Sequence, residues 1–346
     1  MSWALALGLL TLAAAVHAIP TFHRIDTDAL SASPSGRYLA LLERSDHQAF
    51  SVWVYTVPTG RWRRFMTGLH GVAHLRWSSD ERDLLLGVCA SASHITTIWR
   101  LPVHGTPQRL TRISRGVDWL PLPDGRGIVA TARDPRTRMH QGEMEVRARV
   151  KIYSFATHRW HMIARTPWDE EADVGEDLAV RRHSRNWVIS FHQFGPVDCS
   201  SYWVNLATRR GMQAEDGDPR FLYSPDGRYV ITDGNLYLAR SWPRASRRGL
   251  GIVHGKLLLA DIGYGIWAPD SRHLVDFQYE KASYRILTLA TLTHSTPMPQ
   301  KDVAVFQWFG PKNLLLLYHR PGSTLEYASL TDLTGKVQRK IFIAQW

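Results

Sequence analysis

One short phrase recurs along this chain: a bulky residue, a turn of the Ser-Pro-Asp-Gly type, and then an apolar strand. The clearest copy reads LYSPDGRYVI and covers residues 222–231. Other copies begin at Ala32, Trp77, Leu122, Trp267 and Trp308. Pro presets φ, while Asp and Gly accept the sharp bend that joins two antiparallel strands. The phrase therefore predicts a fold built from repeated β-hairpins.

The spacing of the turns predicts the number of repeats. The equivalent turn positions are Ser35, Asp80, Asp124, Asp226, Asp270 and Pro311, at intervals of 45, 44, 102, 44 and 41 residues. The long interval holds two repeats and an insertion, and a weaker copy of the phrase occurs within it at residues 183–191. A third, often aromatic strand and a fourth strand follow each hairpin. Four strands in about 44 residues match one blade of a β-propeller.

These repeats predict an all-β fold, a seven-bladed β-propeller of four-stranded antiparallel blades. Six blades with one stray hairpin is the alternative. A β-sandwich is disfavoured because its strand order requires no fixed period. We expect residues 21–25 to close the ring as the outer strand of the last blade.

The first 18 residues differ from the rest of the chain. Residues 3–16 are almost entirely apolar, and Val-His-Ala at 16–18 has small residues where signal peptidase requires them. The apolar run is too short to span a bilayer comfortably. We therefore expect a secretory signal at 1–18, one propeller domain at 19–346, no stable membrane insertion, and a periplasmic or secreted location.

The chain contains two cysteines, Cys89 and Cys199. Export would permit a disulfide, but the repeats place these residues in the second and fourth blades, which do not adjoin. Cα atoms more than about 7 Å apart cannot be bridged. The sequence therefore predicts two buried, reduced thiols.

The copies at 223–231 and 267–274 resemble the TolB-type propeller repeat. This relative of the WD repeat occurs in bacterial periplasmic proteins and in the propeller domains of prolyl oligopeptidases. The resemblance extends over roughly residues 20–346 and implies the propeller fold. It implies no site residues, because the matched positions form turns and core, and propellers serve many functions.

Known chemical motifs are missing from the sequence. It has no Gly-x-Ser-x-Gly elbow, no His-Glu-x-x-His, no paired-cysteine zinc pattern and no P-loop. An acidic run at 169–177 is typical of a solvated loop between blades, with a calcium site as the alternative. The net charge of +11 favours anionic partners, but no nucleic-acid-binding module accompanies it. We therefore predict no cofactor, no metal and no nucleic-acid partner.

The sequence favours a monomeric, exported, non-catalytic propeller that binds a protein or peptide of the cell envelope at one mouth of the ring. Residues at the start of the innermost strands are expected to face that mouth. These candidate binding residues are His70, Arg115, Asp118, Arg220, Tyr264 and Asp302. The alternative is a propeller hydrolase or lactonase with a metal-dependent site in the central channel.

Removal of the signal is directly testable. We expect the mature protein from the native host to begin at Ile19, which an intact-mass measurement would show. A chain in the cytosol that retains Met1 would contradict both the cleavage and the predicted location.

Overall fold

The computed structural model describes most of the chain from Thr21 to Gln345. Within this range the residues not described are 24, 45–48, 91–94, 115, 141–142, 167, 171–172, 184–185, 195–198, 210, 216–221, 233, 240–255, 263, 279–280, 300–302 and 320–324. The predicted signal at 1–18 also lies outside the described residues. No helix in the described part is long and apolar enough to cross a membrane.

The described strands form seven blades, each antiparallel with its first strand at the centre of the ring. Strand β1 (Thr21–His23) precedes the first blade. Blade 1 contains β2 (Ile25–Ala32), β3 (Tyr38–Arg44), β4 (Ala49–Thr56) and β5 (Arg61–His70). Blade 2 contains β6 (Val72–Trp77), β7 (Asp83–Ala90), β8 (Ile95–Pro102) and β9 (Gln108–Ser114).

Blade 3 carries the insertion that the long repeat interval predicted. Its own strands are β10 (Gly116–Pro121), β11 (Gly127–Arg133), β14 (Ala148–Ser154) and β15 (Arg159–Arg165). A separate three-stranded sheet, here called the added sheet, contains β12 (Arg138–His140), β13 (Glu143–Val146) and β16 (Asp169–Glu170).

The remaining four blades follow the same order. Blade 4 contains β17 (Asp173–His183), β18 (Asn186–Phe194), β19 (Cys199–Asn205) and β20 (Gly211–Glu215). Blade 5 contains β21 (Leu222–Tyr223), β22 (Tyr229–Thr232), β23 (Asn235–Leu238) and β24 (Leu257–Leu259). Blade 6 contains β25 (Tyr264–Trp267), β26 (His273–Gln278), β27 (Ser283–Thr288) and β28 (Thr293–His294), and β29 (Met298–Pro299) also pairs with β27. Blade 7 contains β30 (Val303–Phe309), β31 (Asn313–His319), β32 (Leu325–Asp332) and β33 (Val337–Gln345).

Strand β1 closes the ring in a way that the sequence predicted only in part. It lies at the outer edge of blade 7, as expected, but as a fifth strand that runs parallel to β33. Thr21 pairs with Ile343, and His23 with Gln345. Ile25, which was assigned to the same strand, instead begins β2 of blade 1.

The core is divided among the blade interfaces. Seven clusters of buried apolar residues occur, one between each pair of neighbouring blades. Strand β3 shows how one sequence serves two interfaces, because successive side chains point to opposite faces of a sheet. Tyr38, Ala40 and Leu42 pack against blade 2, whereas Leu39 and Leu41 pack against blade 7. A central strand buried on both faces therefore reads as a continuous apolar run.

In blades 2, 6 and 7 the tryptophan of the repeated phrase joins the blade to the one before it. Trp77 of blade 2 donates its indole N–H to the carbonyl oxygen of Ser31 in blade 1, at 2.8 Å. Trp308 of blade 7 makes the same bond to Ile266 of blade 6, at 2.8 Å. Trp267 likewise donates from blade 6 to blade 5. These tryptophans therefore combine apolar packing with a hydrogen bond to an otherwise buried carbonyl group.

The strand after the turn contributes a second aromatic layer. Tyr38 of blade 1 stacks on Trp77 of blade 2 with ring centroids 5.3 Å apart. Tyr229 of blade 5 stacks on Trp267 of blade 6 at 6.1 Å. The two aromatic positions of the phrase thus meet across an interface, which explains why they recur together.

A different pair occupies the interface between blades 4 and 5. Here the guanidinium group of Arg181 in β17 lies 5.0 Å from the ring centroid of Tyr223 in β21. Burial lowers the pKa of Arg181 to about 10 and raises the pKa of Tyr223 to about 12. At this interface a cation–π contact thus takes the place of the tryptophan bond.

The turn of the phrase requires left-handed backbone at its fourth residue. Gly227 has φ of 72°, as a residue without Cβ readily does. Glu81 and Ser271 occupy the same position with φ of 58° and 57°. Ser271 accepts a hydrogen bond at 2.9 Å from the backbone N–H of Asp226 in the preceding blade. Where glycine is replaced, the side chain links neighbouring turns.

The cysteines lie in the predicted blades. Cys89 is in β7 of blade 2 and Cys199 is in β19 of blade 4, with blade 3 between them. Cys89 is partly exposed rather than buried as expected, because it lies near the end of its strand.

The tryptophan bonds predict a specific loss of stability. Trp77→Phe keeps the aromatic packing but leaves the buried carbonyl of Ser31 without its donor, so the free energy of unfolding should fall by about 1–3 kcal/mol. Chemical denaturation would measure this change.

Trp53→Phe is the matched control. Trp53 donates to Glu43 at 2.8 Å, at a site that solvent reaches in part, so water can replace the lost donor and a smaller change is expected. Equal losses in the two variants would contradict the role assigned to the Trp77 bond.

Candidate functional site

The predicted binding residues lie at or next to the connections between blades. His70 ends β5 and is exposed, Asp118 is the third residue of β10, and Tyr264 begins β25. Strands alternate in direction within each blade, so these connections all reach one face of the ring, here called the upper mouth. The three residues belong to blades 1, 3 and 6, which do not adjoin. The other three, Arg115, Arg220 and Asp302, lie outside the described residues.

Asp118 has a structural role that the sequence did not indicate. Its carboxylate accepts hydrogen bonds from the backbone N–H groups of Trp119, at 2.7 Å, and of Leu178 in blade 4, at 3.1 Å. Burial raises the pKa of Asp118, and the charge of Arg76 on blade 2 opposes that shift. Asp118 therefore ties the innermost strands of blades 3 and 4 together beside a cation from blade 2.

The added sheet is raised on the same upper mouth. Strands β12 and β13 connect the second and third strands of blade 3, and β16 lies between the outermost strand of blade 3 and the innermost strand of blade 4. Both connections reach the upper mouth, because each follows a strand that runs towards it. The acidic run at 169–177 was expected to be a loop, but its first residues form β16, and Asp173 begins β17.

A buried carboxylate holds the base of the added sheet. Asp134 follows β11 and is fully buried. It accepts hydrogen bonds from Arg147 Nε at 2.9 Å, from Arg149 Nη2 at 2.6 Å and from the backbone N–H of Arg136 at 3.0 Å. Arg165 Nε lies 3.9 Å away. Despite the opposing effect of burial, these bonds hold the pKa of Asp134 well below its usual range.

Arg147, one of the cations that contact Asp134, also stacks on the ring of Trp168, as does Arg138. The guanidinium group of Arg147 lies 4.2 Å from the Trp168 ring, and that of Arg138 lies 5.4 Å from it. Arg138 also forms an ion pair with Glu145. Met139, which points to the opposite face of β12, is 68% exposed. The edge strand of the added sheet thus presents an apolar side chain on one face and a cationic aromatic stack on the other.

A cavity of about 360 Å³ lies in the groove between blades 3 and 4. Arg165, which faces Asp134, and Arg209, in the turn before β20, are both exposed at its margin. Apolar side chains that include Phe191 and Val204 form its floor. This groove can accept an apolar group attached to an anion.

The described part of the chain holds no group of three or more His, Cys, Asp or Glu side chains placed to bind a metal ion. The side chains described at the upper mouth are His70, the carboxylate of Asp118, the two guanidinium groups stacked on Trp168, and Met139.

Sequence reasoning missed the added sheet as a site. The local concentration of Arg133, Arg136 and Arg138 was the available signal. Neither the burial of Asp134 nor the proximity of Trp168, thirty residues after Arg138, can be read from spacing alone.

No family model matches the chain, and no curated protein is similar to it in sequence. Solved structures show the same fold at low identity. The acylaminoacyl peptidase of Pyrococcus horikoshii is 10% identical with a TM-score of 0.58, over 92% of this chain and 52% of that one. The oligogalacturonate lyase of Vibrio parahaemolyticus is 11% identical with a TM-score of 0.57, over 90% of both chains. The β-propeller domain of the Trilobed protease from Pyrococcus furiosus is 10% identical with a TM-score of 0.55, over 92% and 97%.

The Asp134 network predicts a pH-dependent effect. Asp134→Asn leaves three guanidinium groups around a neutral side chain, so the free energy of unfolding at pH 7 should fall by about 3–5 kcal/mol. A carboxylate with a lowered pKa stabilises the fold above its unfolded-state value of 3.8, and that stabilisation is lost as the pH falls towards the folded-state value. The difference in the free energy of unfolding between wild type and Asp134→Asn should therefore become smaller below about pH 4.

Denaturation at several pH values from 7 to 2 would test this. Asp124→Asn is the control, because the Asp124 side chain is exposed in a turn and accepts only the backbone N–H of Arg126. A constant difference between wild type and Asp134→Asn down to pH 2 would contradict the assigned ion pairs.

Proposed function

We propose that this chain is a non-catalytic binding propeller whose upper mouth receives a protein or peptide, with the added sheet as the main contact. The observation that carries the proposal is the exposed edge strand β12, with Met139 on one face and the Arg138–Trp168–Arg147 stack on the other. Methionine, tryptophan and arginine are the residue types enriched at protein interfaces.

Rigidity supports this role for the added sheet. Asp134 bonds to residues on both sides of the β12–β13 hairpin, and its backbone N–H donates to the carbonyl of Arg147 at 2.9 Å. A surface held in one conformation loses little entropy when a partner binds. The two guanidinium groups stacked on Trp168 favour a partner segment that carries Asp or Glu beside an apolar residue.

The expected partner is a component of the cell envelope. This part of the proposal depends on the signal predicted at residues 1–18 and on the resemblance to the TolB-type repeat, which together favour a periplasmic or secreted bacterial protein. Asp118 of blade 3 lies on the same mouth, and His70 of blade 1 would extend the contact beyond blade 3.

A charge placed on the added sheet tests the proposal. Met139→Asp introduces a carboxylate at the centre of the proposed contact and should abolish, or weaken at least tenfold, the binding of partners captured from the native envelope fraction. Quantitative affinity capture with the full chain would measure the loss.

Met162→Asp is the matched control, because Met162 is 44% exposed on the outermost strand of the same blade, away from the upper mouth. It should retain wild-type capture. Equal loss in both variants, or no loss in either, would contradict the assignment. Stoichiometric manganese, calcium or zinc in the purified protein would instead favour the metal-dependent enzyme.

A further inference from the structure

In the described part of the chain, a group of exposed cations lies on one side of the ring. The fourth strands of blades 7, 1, 2 and 3, which are neighbours, contain no Asp or Glu. They carry nine exposed cations, here called the basic belt: Arg61, Arg63, Arg64, Arg109, Arg112, Arg159, Arg165, Arg339 and Lys340. The outermost strand of blade 4 has no cation and contains Glu215. The belt is therefore a local feature and not a uniform coating.

The basic belt continues across the grooves between blades. Arg339 of blade 7 donates to the hydroxyl oxygen of Tyr55 at 3.0 Å and to the carbonyl of Val57 at 3.1 Å, both in blade 1. Arg63 of blade 1 donates to the carbonyl of Val103 in blade 2 at 3.3 Å. The arginines thus bridge neighbouring blades and form one curved surface.

Little negative charge opposes the belt. Where the structure describes side chains, Arg165 is the one belt residue with a carboxylate within 4.0 Å, that of Asp134 at 3.9 Å. Aromatic rings orient other members, since Arg63 lies 4.8 Å from Phe65 and Lys340 lies 4.7 Å from Tyr327. A guanidinium stacked on a ring keeps its in-plane N–H groups available to bind an anion in two-pronged fashion.

We propose that the basic belt binds a linear acidic polysaccharide, a chain with one carboxylate or sulfate group per sugar or per few sugars. The belt is convex and curves around four blades, so a flexible polyanion can follow it. A flat membrane or a stiff DNA duplex, whose persistence length is about 150 bp, touches such a surface only along a tangent.

Single-stranded nucleic acid fits the belt less well. Proteins that bind it without sequence preference combine cations with aromatic rings on which the bases stack. The exposed large apolar side chains in the described part of the chain are Met139, Met162, Leu238, Leu257 and Val337, none of them aromatic. The rings of the belt are partly buried and lie beneath its cations, so charge recognition dominates.

The experiment uses the full chain with alginate, a carboxylated polysaccharide, and measures affinity by calorimetry between 50 and 200 mM salt. The variant R61Q/R109Q/R112Q removes three belt charges whose side chains make no hydrogen bond or ion pair with other described residues. Affinity should fall at least tenfold. The slope of log K against log salt should shrink by about 2, by analogy with roughly 0.7 per neutralised charge in single-stranded nucleic acids.

The control R126Q/R228Q/R272Q makes the same change in net charge at exposed arginines in the turns between the first and second strands of blades 3, 5 and 6, on the face opposite the upper mouth. It should bind alginate within twofold of wild type, and thermal melting should show that both triple variants are folded. Met139→Asp should bind alginate as wild type does, which separates this inference from the proposed protein-binding function.

Three outcomes would overturn the proposal. Equal weakening in the two triple variants would indicate a non-specific charge effect, and unchanged binding in the belt variant would exclude the belt. Tighter binding to a single-stranded oligonucleotide, to a DNA duplex or to vesicles of anionic lipid than to alginate and heparin would assign the belt to another class of partner.

Discussion

The ring depends on the hydrogen bond between an indole N–H and a carbonyl group of the preceding blade. A seven-bladed ring has no independent core in any blade, because each blade buries both faces against neighbours. Apolar packing alone tolerates sliding of one sheet on another. The bonds from Trp77, Trp267 and Trp308 set the heights of blades 2, 6 and 7 relative to the blades before them, and a displacement would leave a buried carbonyl without a donor.

The need to join neighbouring blades explains how much of the fold could be predicted from the sequence. The turn and its aromatic residue make contacts within one blade or with an adjacent blade, so they recur at a fixed period. That period predicted the seven blades and the insertion. Blade 4 was visible mainly through its spacing, because its copy of the phrase at 183–191 has no Pro, Asp or Gly in the turn. The role of β1 was predicted incompletely, since a parallel fifth strand depends on contacts with residues more than 300 positions away.

The candidate site was far less predictable. Asp118 was selected for its position at a mouth, but its described bonds hold two blades together. The added sheet depends on the burial of Asp134 and on the contact of Trp168, which follows β15, with two arginines from the connection between β11 and β14. Tertiary proximity of this kind leaves no period in the sequence. The basic belt was hidden for a related reason, because its charges are dispersed along the chain and become adjacent only when the ring closes.

The parallel pairing of β1 with β33 also determines how the ring would respond to mechanical tension. Force that pulls the residues before Thr21 away from those after Gln345 acts along both strands in opposite senses. The three residue pairs are therefore loaded together in shear and do not unzip one after another. Phe22 adds an anchor, with its ring 4.9 Å from Trp62 and 5.4 Å from Trp53. Separating β1 from β33 requires the Phe22 ring to leave these aromatic neighbours. The pairing of β1 with β33 should therefore resist pulling although it is only three residues long.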